Sequence, residues 1–248
     1  MHLAALIGIP FSYLSPRSYV KTNIEGTLNL LEAVRRCTTG RLVHTSTSEV
    51  YGTAQHSPID EGHPLKGQSP YAASKIAADK LAEAYALSFG LPIVTIRPFN
   101  AYGPRQSARG VIPAAIVQAL WRDAVVLGSL HPIRDMTFVA DIVDGFLRAV
   151  AADGILGETI NLGSGEAKSV GELAELILKI LGLRKPIEHD PARARPEASE
   201  VLNLVCDNGK ARRLLGWQPN VSLEDGLRLT IEQVRQNPRA YDGDRYAI

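Results

Sequence analysis

The sequence contains few residues of the kinds that bind metal ions or form covalent cross-links. Only two of its 248 residues are cysteines, Cys37 and Cys206, and they lie too far apart to form a metal-ligand motif. The six histidines are scattered, with no His-x-x-x-His pair. These shortages predict no metal site and no disulfide framework, as is typical of a protein that works in a reducing cytoplasm.

The chain also lacks long apolar runs and an excess of one charge. No stretch approaches the ~20 apolar residues that a membrane span needs. Residues 1–20 have neither a charged leading region nor a clear cleavage site. The net charge of +1 gives no reason to expect nucleic acid or an anionic membrane as a partner. We therefore expect a cytoplasmic protein with neither of these partners.

The first hundred residues show an alternation of strand and helix patterns. Apolar runs bounded by turn residues indicate strands, and apolar positions at helical spacing indicate helices. The predicted elements are a buried strand at 1–7, a helix at 18–37, a strand at 41–47, a helix at 70–89 and a strand at 91–97. This alternation predicts the doubly wound parallel sheet of an α/β protein, in which ligands bind beyond the C-terminal ends of the strands.

The later residues have a looser pattern, which predicts a second and smaller unit. The expected elements are helices at 111–121, from 141, at 169–181, at 210–215 and at 223–235, and strands at 125–127 and 159–163. We predict a partial Rossmann-type core over residues 1–165, of which 104–134 contribute to the substrate lobe. Residues 166–248 are expected to form the rest of the substrate-binding lobe.

Tyr71 and Lys75 form a candidate catalytic pair. Ser69 and Pro70 have the pattern of an N-cap and a first-turn proline, so Tyr71 and Lys75 should open a helix and share a face. A neighbouring ammonium favours the phenolate of a tyrosine, whose pKa is otherwise about 10. Such a pair exchanges a proton with a substrate alcohol while a hydride leaves its carbon. The alternative is a surface Tyr and Lys on an ordinary amphipathic helix.

Thr47, Ser48 and Glu49 follow directly at the end of the strand predicted at 41–47. Residues two apart in a strand share a face, so Thr47 and Glu49 are expected to address the same ligand if the strand geometry persists. The alternative for Glu49 is a solvated carboxylate at a strand end.

Motifs along nearly the whole chain resemble those of extended short-chain dehydrogenases/reductases, specifically the NAD-dependent sugar-nucleotide epimerase/dehydratase family. Each motif is weak alone, and their shared order along the chain makes the resemblance strong. They are His2-Leu3-Ala4-Ala5, Asn23 with Gly26-Thr27, Ser46 to Gly52, Tyr71-x-x-x-Lys75, Arg97-Pro98-Phe99-Asn100 with Tyr102-Gly103-Pro104, Arg134-Asp135, Asn161 with Gly163-x-Gly165, Arg195-Pro196 and Leu215-Gly216-Trp217.

The resemblance implies NAD as cofactor, a nucleotide sugar as substrate and a homodimer in the complete protein. NAD⁺ would oxidise the C4 hydroxyl, with Tyr71 as base and Thr47 hydrogen-bonded to the same oxygen. Glu49 would take the C5 proton, and hydride return to C6 would leave a 4-keto-6-deoxy sugar. Ser48 matches the position that assists protonation of the departing C6 hydroxyl. Since this position is Ser rather than Asp, a bound water could carry that proton instead.

The same resemblance assigns binding roles to further positions. The implied cofactor-binding residues are Ala4, Ala5, Ser46, Tyr71, Lys75 and Pro98, and the implied substrate-binding residues are Asn100, Arg134 and Arg195. The last three match positions that hold the pyrophosphate or the nucleotide, although each also fits a surface role and Arg134 a structural pairing with Asp135. Gly163-Ser164-Gly165 resembles part of a phosphate loop, but the incomplete pattern is more typical of a strand-to-helix turn.

The run from Pro98 to Arg109 and the Thr47-Ser48-Glu49 triplet favour one branch of the family. The run is most similar to that of UDP-N-acetylglucosamine 4,6-dehydratases, and the triplet is similar to those of 4,6-dehydratases and UDP-glucuronate decarboxylases. The tail from Arg195 to Trp217 resembles those of UDP-N-acetylglucosamine and GDP-mannose 4,6-dehydratases. A 4,6-dehydratase of a UDP-N-acetylhexosamine or GDP-hexose is therefore the leading hypothesis. A 4-epimerase or a UDP-glucuronate decarboxylase is the alternative within the family. An inactive truncated fragment or an interaction module is the alternative from another class.

The family's cofactor fingerprint does not occur in this sequence. In the family, a glycine turn and an acidic residue on the first strand-turn-helix bind the cofactor, whereas the resemblance places Met1 inside the fourth strand. We therefore expect an N-terminally truncated chain that binds NAD poorly in this form and exposes an apolar sheet edge.

Overall fold

The computed structural model describes residues 1–241 of the chain. Its α-helices are α1 (Ile9–Leu14), α2 (Pro16–Tyr19), α3 (Gly26–Arg36), α4 (Pro70–Phe89), α5 (Val111–Trp121), α6 (Val139–Ala151), α7 (Val170–Leu181), α8 (Gly209–Leu215) and α9 (Leu223–Gln236). A π-helical segment, Val20–Glu25, joins α2 to α3, so the helix predicted at 18–37 is confirmed and begins slightly earlier.

The strands form one parallel sheet and several smaller ones. They are β1 (Leu42–Thr45), β2 (Ile93–Pro98), β3 (Asn100–Tyr102), β4 (Val125–Leu127), β5 (Ile133–Arg134), β6 (Met136–Phe138), β7 (Thr159–Leu162), β8 (Lys168–Ser169), β9 (Ile187–His189) and β10 (Asn203–Leu204). The main sheet has the order β1-β2-β7, and both pairs are parallel. It confirms the predicted α/β class.

The buried strand predicted at 1–7 is wrong. One parallel bridge joins His2 to His44, in which the His2 N–H donates to the Val43 carbonyl over 2.9 Å. Beyond it the chain leaves β1, because the side chain of Asn23 bonds both backbone groups of Leu6, over 2.9 and 3.0 Å. An amide side chain thereby takes the place of a neighbouring strand, and Met1, Leu3 and Ile7 are exposed.

Local signals fix helix α4, which carries the candidate catalytic pair. The Ser69 hydroxyl accepts from the Ala72 N–H over 3.1 Å, and Pro70 occupies the first turn. Gly90 ends the helix in the left-handed conformation, with φ of 65°, which costs glycine little because it has no Cβ. These limits confirm the predicted helix at 70–89.

Two main groups of apolar side chains build the interior. One lies between the parallel sheet and helices α6 and α8, and includes Val94, Ile160 and the fully buried Trp217. The Trp217 indole N–H donates to the Asp141 carbonyl over 2.8 Å, which satisfies its buried polar atom. The other group joins α5, α7 and α9 and contains Ile116 and Ile177. The C-terminal ends of β1 and β2 open between these units.

No helix within residues 1–241 is long and apolar enough to cross a membrane.

Candidate active site

Thr47 begins a tight turn directly after β1. The segment Ser48–Tyr51 is a 3₁₀-helix, and the Thr47 hydroxyl accepts from the Glu49 N–H over 3.3 Å as its N-cap. The expectation that Thr47 and Glu49 share a strand face is therefore wrong, because a side-chain cap turns the chain. The turn still keeps Thr47, Ser48 and Glu49 together in a buried position at the end of the sheet.

Tyr71 lies on the first turn of α4 and faces this group. Its side chain is buried, and burial raises the pKa of the phenol above its usual value. A hydrogen bond with Thr47 lowers this pKa, whereas the charges of Glu49 and Asp79 raise it further. The expected lowering of the phenol pKa is thus opposite to the net effect in this structure. Two side chains that hydrogen-bond to the same substrate oxygen must lie close together, and the hydroxyls of Thr47 and Tyr71 do so.

Lys75 lies one turn further along α4 and is also buried. Its ammonium donates to the Thr45 carbonyl over 2.6 Å. Burial lowers the pKa of Lys75, and the charge of Asp79 acts in the opposite direction. An ammonium has three N–H donors. Within residues 1–241, Lys75 uses one of them, in the hydrogen bond to the Thr45 carbonyl. The remaining donors suit the hydroxyls of a ribose, so Lys75 fits the nicotinamide-ribose half of NAD.

Two arginines, Arg134 and Arg195, form a cluster with two glutamates, Glu49 and Glu200. Arg195 Nη1 lies 3.5 Å from Glu49 Oε2 and 3.9 Å from Glu200 Oε1. Arg134 Nη2 lies 3.2 Å from the same Glu200 oxygen. Burial lowers the pKa of Arg134, and the charges of Glu49 and Glu200 oppose that effect. The structure therefore brings Arg134 and Arg195 together, as a diphosphate site requires, and pairs Arg134 with Glu200.

Asp135, the alternative partner of Arg134, has another position. Its carboxylate accepts from the backbone N–H groups of Ser164 and Gly165, each over 2.8 Å, and from the Cys206 N–H over 3.1 Å. The turn after β7 therefore wraps a buried carboxylate and leads into the short strand β8, which precedes α7, so it joins two strands rather than a strand and a helix as predicted. Asn100 Nδ2 donates to the Asp135 carbonyl over 3.3 Å, which places Asn100 at the edge of the same region.

The other expected cofactor residues lie along one line at the sheet end. Ser46 follows β1 and donates its hydroxyl to Asp79 Oδ2 over 2.7 Å. Pro98 ends β2 and is half-buried, while Ala4 and Ala5 lie in the segment after the His2 bridge. Ala4 is exposed and Ala5 is half-buried. The residues present thus fit the nicotinamide half of the cofactor, and no Gly-x-Gly-x-x-Gly turn lies in the chain.

Sequence reasoning missed Glu200 and Asp79. Glu200 contacts both arginines although 66 residues separate it from Arg134. Nothing in the local pattern distinguishes this carboxylate from other exposed glutamates. Asp79 had a usable signal, because it lies four residues after Lys75 and so shares the catalytic face of α4.

Comparison with known proteins identifies the family. Residues 1–230 match the family model described as GDP-mannose 4,6 dehydratase. The chain is 36% identical over 242 residues to the UDP-glucose 4-epimerase of Mycolicibacterium smegmatis, an alignment that covers 94% of this chain and 75% of that protein.

Solved structures show the same fold. The dTDP-glucose 4,6-dehydratase of Streptomyces venezuelae, crystallised with NAD, is 32% identical with a TM-score of 0.87 over 97% of this chain and 74% of that one. The UDP-glucuronic acid 4-epimerase of Bacillus cereus, crystallised with UDP-glucuronic acid and NAD, is 31% identical with a TM-score of 0.89 over 95% and 74%. The fold is therefore Rossmann-type, and the chain belongs to the NAD-dependent sugar-nucleotide epimerase/dehydratase family of extended short-chain dehydrogenases/reductases.

Proposed function

We propose that this protein is a sugar-nucleotide 4,6-dehydratase, a hydro-lyase acting on a UDP-N-acetylhexosamine or a GDP-hexose. The observation that carries the proposal is the position of Glu49. Its buried carboxylate lies beside the Thr47–Tyr71 pair and influences the phenol of Tyr71. A reaction that only oxidises and reduces one carbon needs no such carboxylate, whereas elimination of water needs a base next to the ketone.

The oxidation step uses Tyr71 and Thr47. Bound NAD⁺ supplies a hydride acceptor and a positive charge near the phenol. Tyr71 takes the proton of the C4 hydroxyl, and Thr47 holds that oxygen in place through its own hydroxyl. The high pKa of the buried phenol means that it needs nearby positive charge to act as a base at neutral pH, and Lys75 lies one helical turn away.

The elimination step uses Glu49 and Ser48. A ketone at C4 acidifies the C5 proton, and the Glu49 carboxylate accepts it. The C6 hydroxyl then leaves with a proton, which Ser48 relays from its buried position next to Glu49. Hydride return to C6, together with return of the proton from Glu49 to C5, completes a 4-keto-6-deoxy sugar.

The diphosphate of the substrate is assigned to Arg134 and Arg195, with Asn100 at the edge of the site. Both guanidiniums are already oriented by Glu200. Two converging guanidiniums match the geometry and charge of a diphosphate.

We assign residues 1–165 to the cofactor-binding core, with 104–134 contributing to the substrate lobe, and 166–248 to that lobe.

A 4-epimerase is the second candidate, and the Arg195–Glu49 contact favours it. If this ion pair persists with substrate bound, Glu49 cannot reach the C5 proton, and the reaction stops at the ketone. Hydride return to the other face of C4 would then give an epimer.

Mass spectrometry of the reaction products tests the proposal. The purified full chain is incubated with either UDP-N-acetylglucosamine or GDP-mannose and with a large excess of NAD⁺, because weak cofactor binding is expected. We expect a 4-keto product that has lost one water. Glu49→Gln should abolish water loss while leaving the oxidation intact, and the exposed Glu83→Gln, in a surface pair with Lys80, is the matched control. Substrate of unchanged mass with inverted C4 would establish the epimerase instead, and absence of both reactions would reject catalysis by this chain.

We also propose that the protein works in the cytoplasm as a homodimer whose contact uses helices α3 and α4. The last turn of α4 exposes Leu87 and Phe89, by 81% and 46% of their surfaces, and the guanidinium of Arg35 on α3 lies 4.0 Å from the centre of the Phe89 ring. Light scattering after gel filtration tests this assembly, since Leu87→Lys should convert a dimer to a monomer.

A further inference from the structure

Lys75 is a buried cation whose hydrogen-bond partner is a neutral carbonyl, that of Thr45. A buried charge is costly unless an opposite charge lies close to it. The buried carboxylate one helical turn away on the same face of α4 is Asp79, at 5% exposure. The proposed function assigns no role to this carboxylate.

Lys75 and Asp79 contact three successive residues at the end of β1. The Lys75 ammonium donates to the Thr45 carbonyl. The Asp79 carboxylate lies 3.1 Å from His44 Nε2 through one oxygen and accepts from the Ser46 hydroxyl over 2.7 Å through the other. The positively charged Lys75 and the negatively charged Asp79 lie on one face of α4. Together they attach the helix to the end of β1, the strand that leads into Thr47.

Asp79 is also held by the neighbouring strand β2. Arg97 on β2 donates to Asp79 Oδ2 through Nε over 3.2 Å and through Nη2 over 3.1 Å. A further Arg97 nitrogen donates to the Tyr51 hydroxyl over 3.0 Å, and Tyr51 donates to Asn161 Oδ1 over 2.7 Å. This network connects α4 with β1, β2 and β7, so the carboxylate has little freedom to move.

We propose that Asp79 is a positioning residue, the buried counter-charge that holds the ammonium of Lys75 at the end of β1 near Tyr71. The cluster contains two cations, Lys75 and Arg97, and one anion, Asp79. The charge of Asp79 itself raises the pKa of the Tyr71 phenol, so its effect on catalysis acts through the position of the Lys75 ammonium. The catalytic meaning of this role rests on the proposed function, but the charge interaction itself does not.

Several titratable groups lie near Lys75, Tyr71 or Asp79. They are His2 on the N-terminal segment, His44 on β1, Glu49 in the turn after β1 and Arg97 on β2. The charge that raises the pKa of Lys75 is that of Asp79. Burial alone would raise the pKa of Asp79, but the hydrogen bond from His44 and the charge of Arg97 hold it below its usual value. Asp79 is therefore charged at neutral pH, as a counter-ion must be.

The test measures the protonation of Lys75 in the full chain by NMR with lysine labelled at Cε. The Lys75 resonance is assigned by its loss in Lys75→Met. Asp79→Asn keeps the shape of the side chain and removes its charge, so the pKa of Lys75 should fall by about one unit, a tenfold change in proton affinity. The matched control, Glu83→Gln on the exposed face of the same helix, should leave it unchanged. An unchanged Lys75 pKa in folded Asp79→Asn overturns the proposal.

A second variant decides the matter if Asp79→Asn does not fold. Asp79→Ser removes the charge in a smaller polar side chain, so a counter-ion role requires a lowered pKa of Lys75 in this folded variant. An identical pKa in Asp79→Ser and the unmodified chain contradicts the role. Neither measurement uses a cofactor or a nucleotide sugar, so failure of the proposed reaction leaves this outcome intact.

Discussion

Arg195 Nη1 lies 3.5 Å from Glu49 Oε2, so one ion pair joins the residue assigned to the diphosphate to the carboxylate assigned to proton abstraction. A diphosphate competes with Glu49 for the same guanidinium. Under the proposed function, binding of the nucleotide would free the carboxylate, so that the base becomes available only when substrate is present.

Arg195→Gln should weaken nucleotide diphosphate binding. Charge-assisted hydrogen bonds to a guanidinium contribute about 1.5–3 kcal/mol, so we expect the Kd for UDP or GDP to rise at least about tenfold. Isothermal titration calorimetry measures it, and Arg184→Gln, which removes an exposed arginine elsewhere, is the control. Equal affinity in both variants would remove Arg195 from the diphosphate site.

Glu200→Gln should lower the free energy of unfolding. The side chains of Arg134 and Glu200 are 7% and 11% exposed, and breaking a buried pair leaves an uncompensated charge, at a cost of about 3 kcal/mol. Urea denaturation measures the change. Glu224→Gln breaks the exposed pair with Arg228 and should cost less than about 1 kcal/mol. A similar small cost for Glu200→Gln would show that the cluster is not part of the folded core.

His2 should make stability depend on pH in the acidic range. Burial, with the charges of His44 and Lys75, lowers the pKa of His2 from 6.5 to about 4. Between these values the unfolded chain binds more protons than the folded one, so the free energy of unfolding falls as the pH drops from 6.5 to 4. Urea denaturation at several pH values should give a shallower fall for His2→Gln than for a variant of the exposed His131. Equal slopes would contradict the effect.

Gly145→Ala should destabilise the interior between α6 and the sheet. A Cβ at this position would lie 2.5 Å from Leu162 Cδ1 and 3.2 Å from Trp217 Nε1, and both side chains are fully buried. Overpacking of this kind costs about 1–3 kcal/mol. Thermal denaturation measures it, with Gly40→Ala as control, since no atom lies within 4 Å of a Cβ there. A stability equal to that of the control would mean that the interior relaxes freely.

The limits of α4 could be predicted because their causes lie within the helix itself. Ser69 satisfies a backbone N–H of the first turn, Pro70 has the required φ, and Gly90 adopts the left-handed conformation. The prediction that Tyr71 and Lys75 share one face of α4 also depended only on local geometry, because residues four apart on a helix lie on the same face.

The surroundings of the catalytic groups could not be predicted in this way. The pairing of Glu200 with Arg134 depends on contacts between residues far apart in the chain. The turn at Thr47 was missed because the Thr47 hydroxyl accepts a hydrogen bond from the Glu49 N–H, which then cannot continue the strand. The alternation of apolar and polar residues in the sequence does not reveal such a side-chain hydrogen bond. The pKa of Tyr71 depends mainly on burial, which the spacing of Tyr and Lys does not report.

Helix α4 extends over 20 residues, a rod of about 30 Å. Its first turn presents Tyr71 to the substrate, and its last turn exposes Leu87 and Phe89 on the outer surface. A rod of this length converts a tilt of a few degrees at one end into a displacement of roughly an ångström at the other. A contact at the C-terminal end of α4 that tilts the helix would therefore change the position of the Tyr71 phenol relative to a sugar carbon.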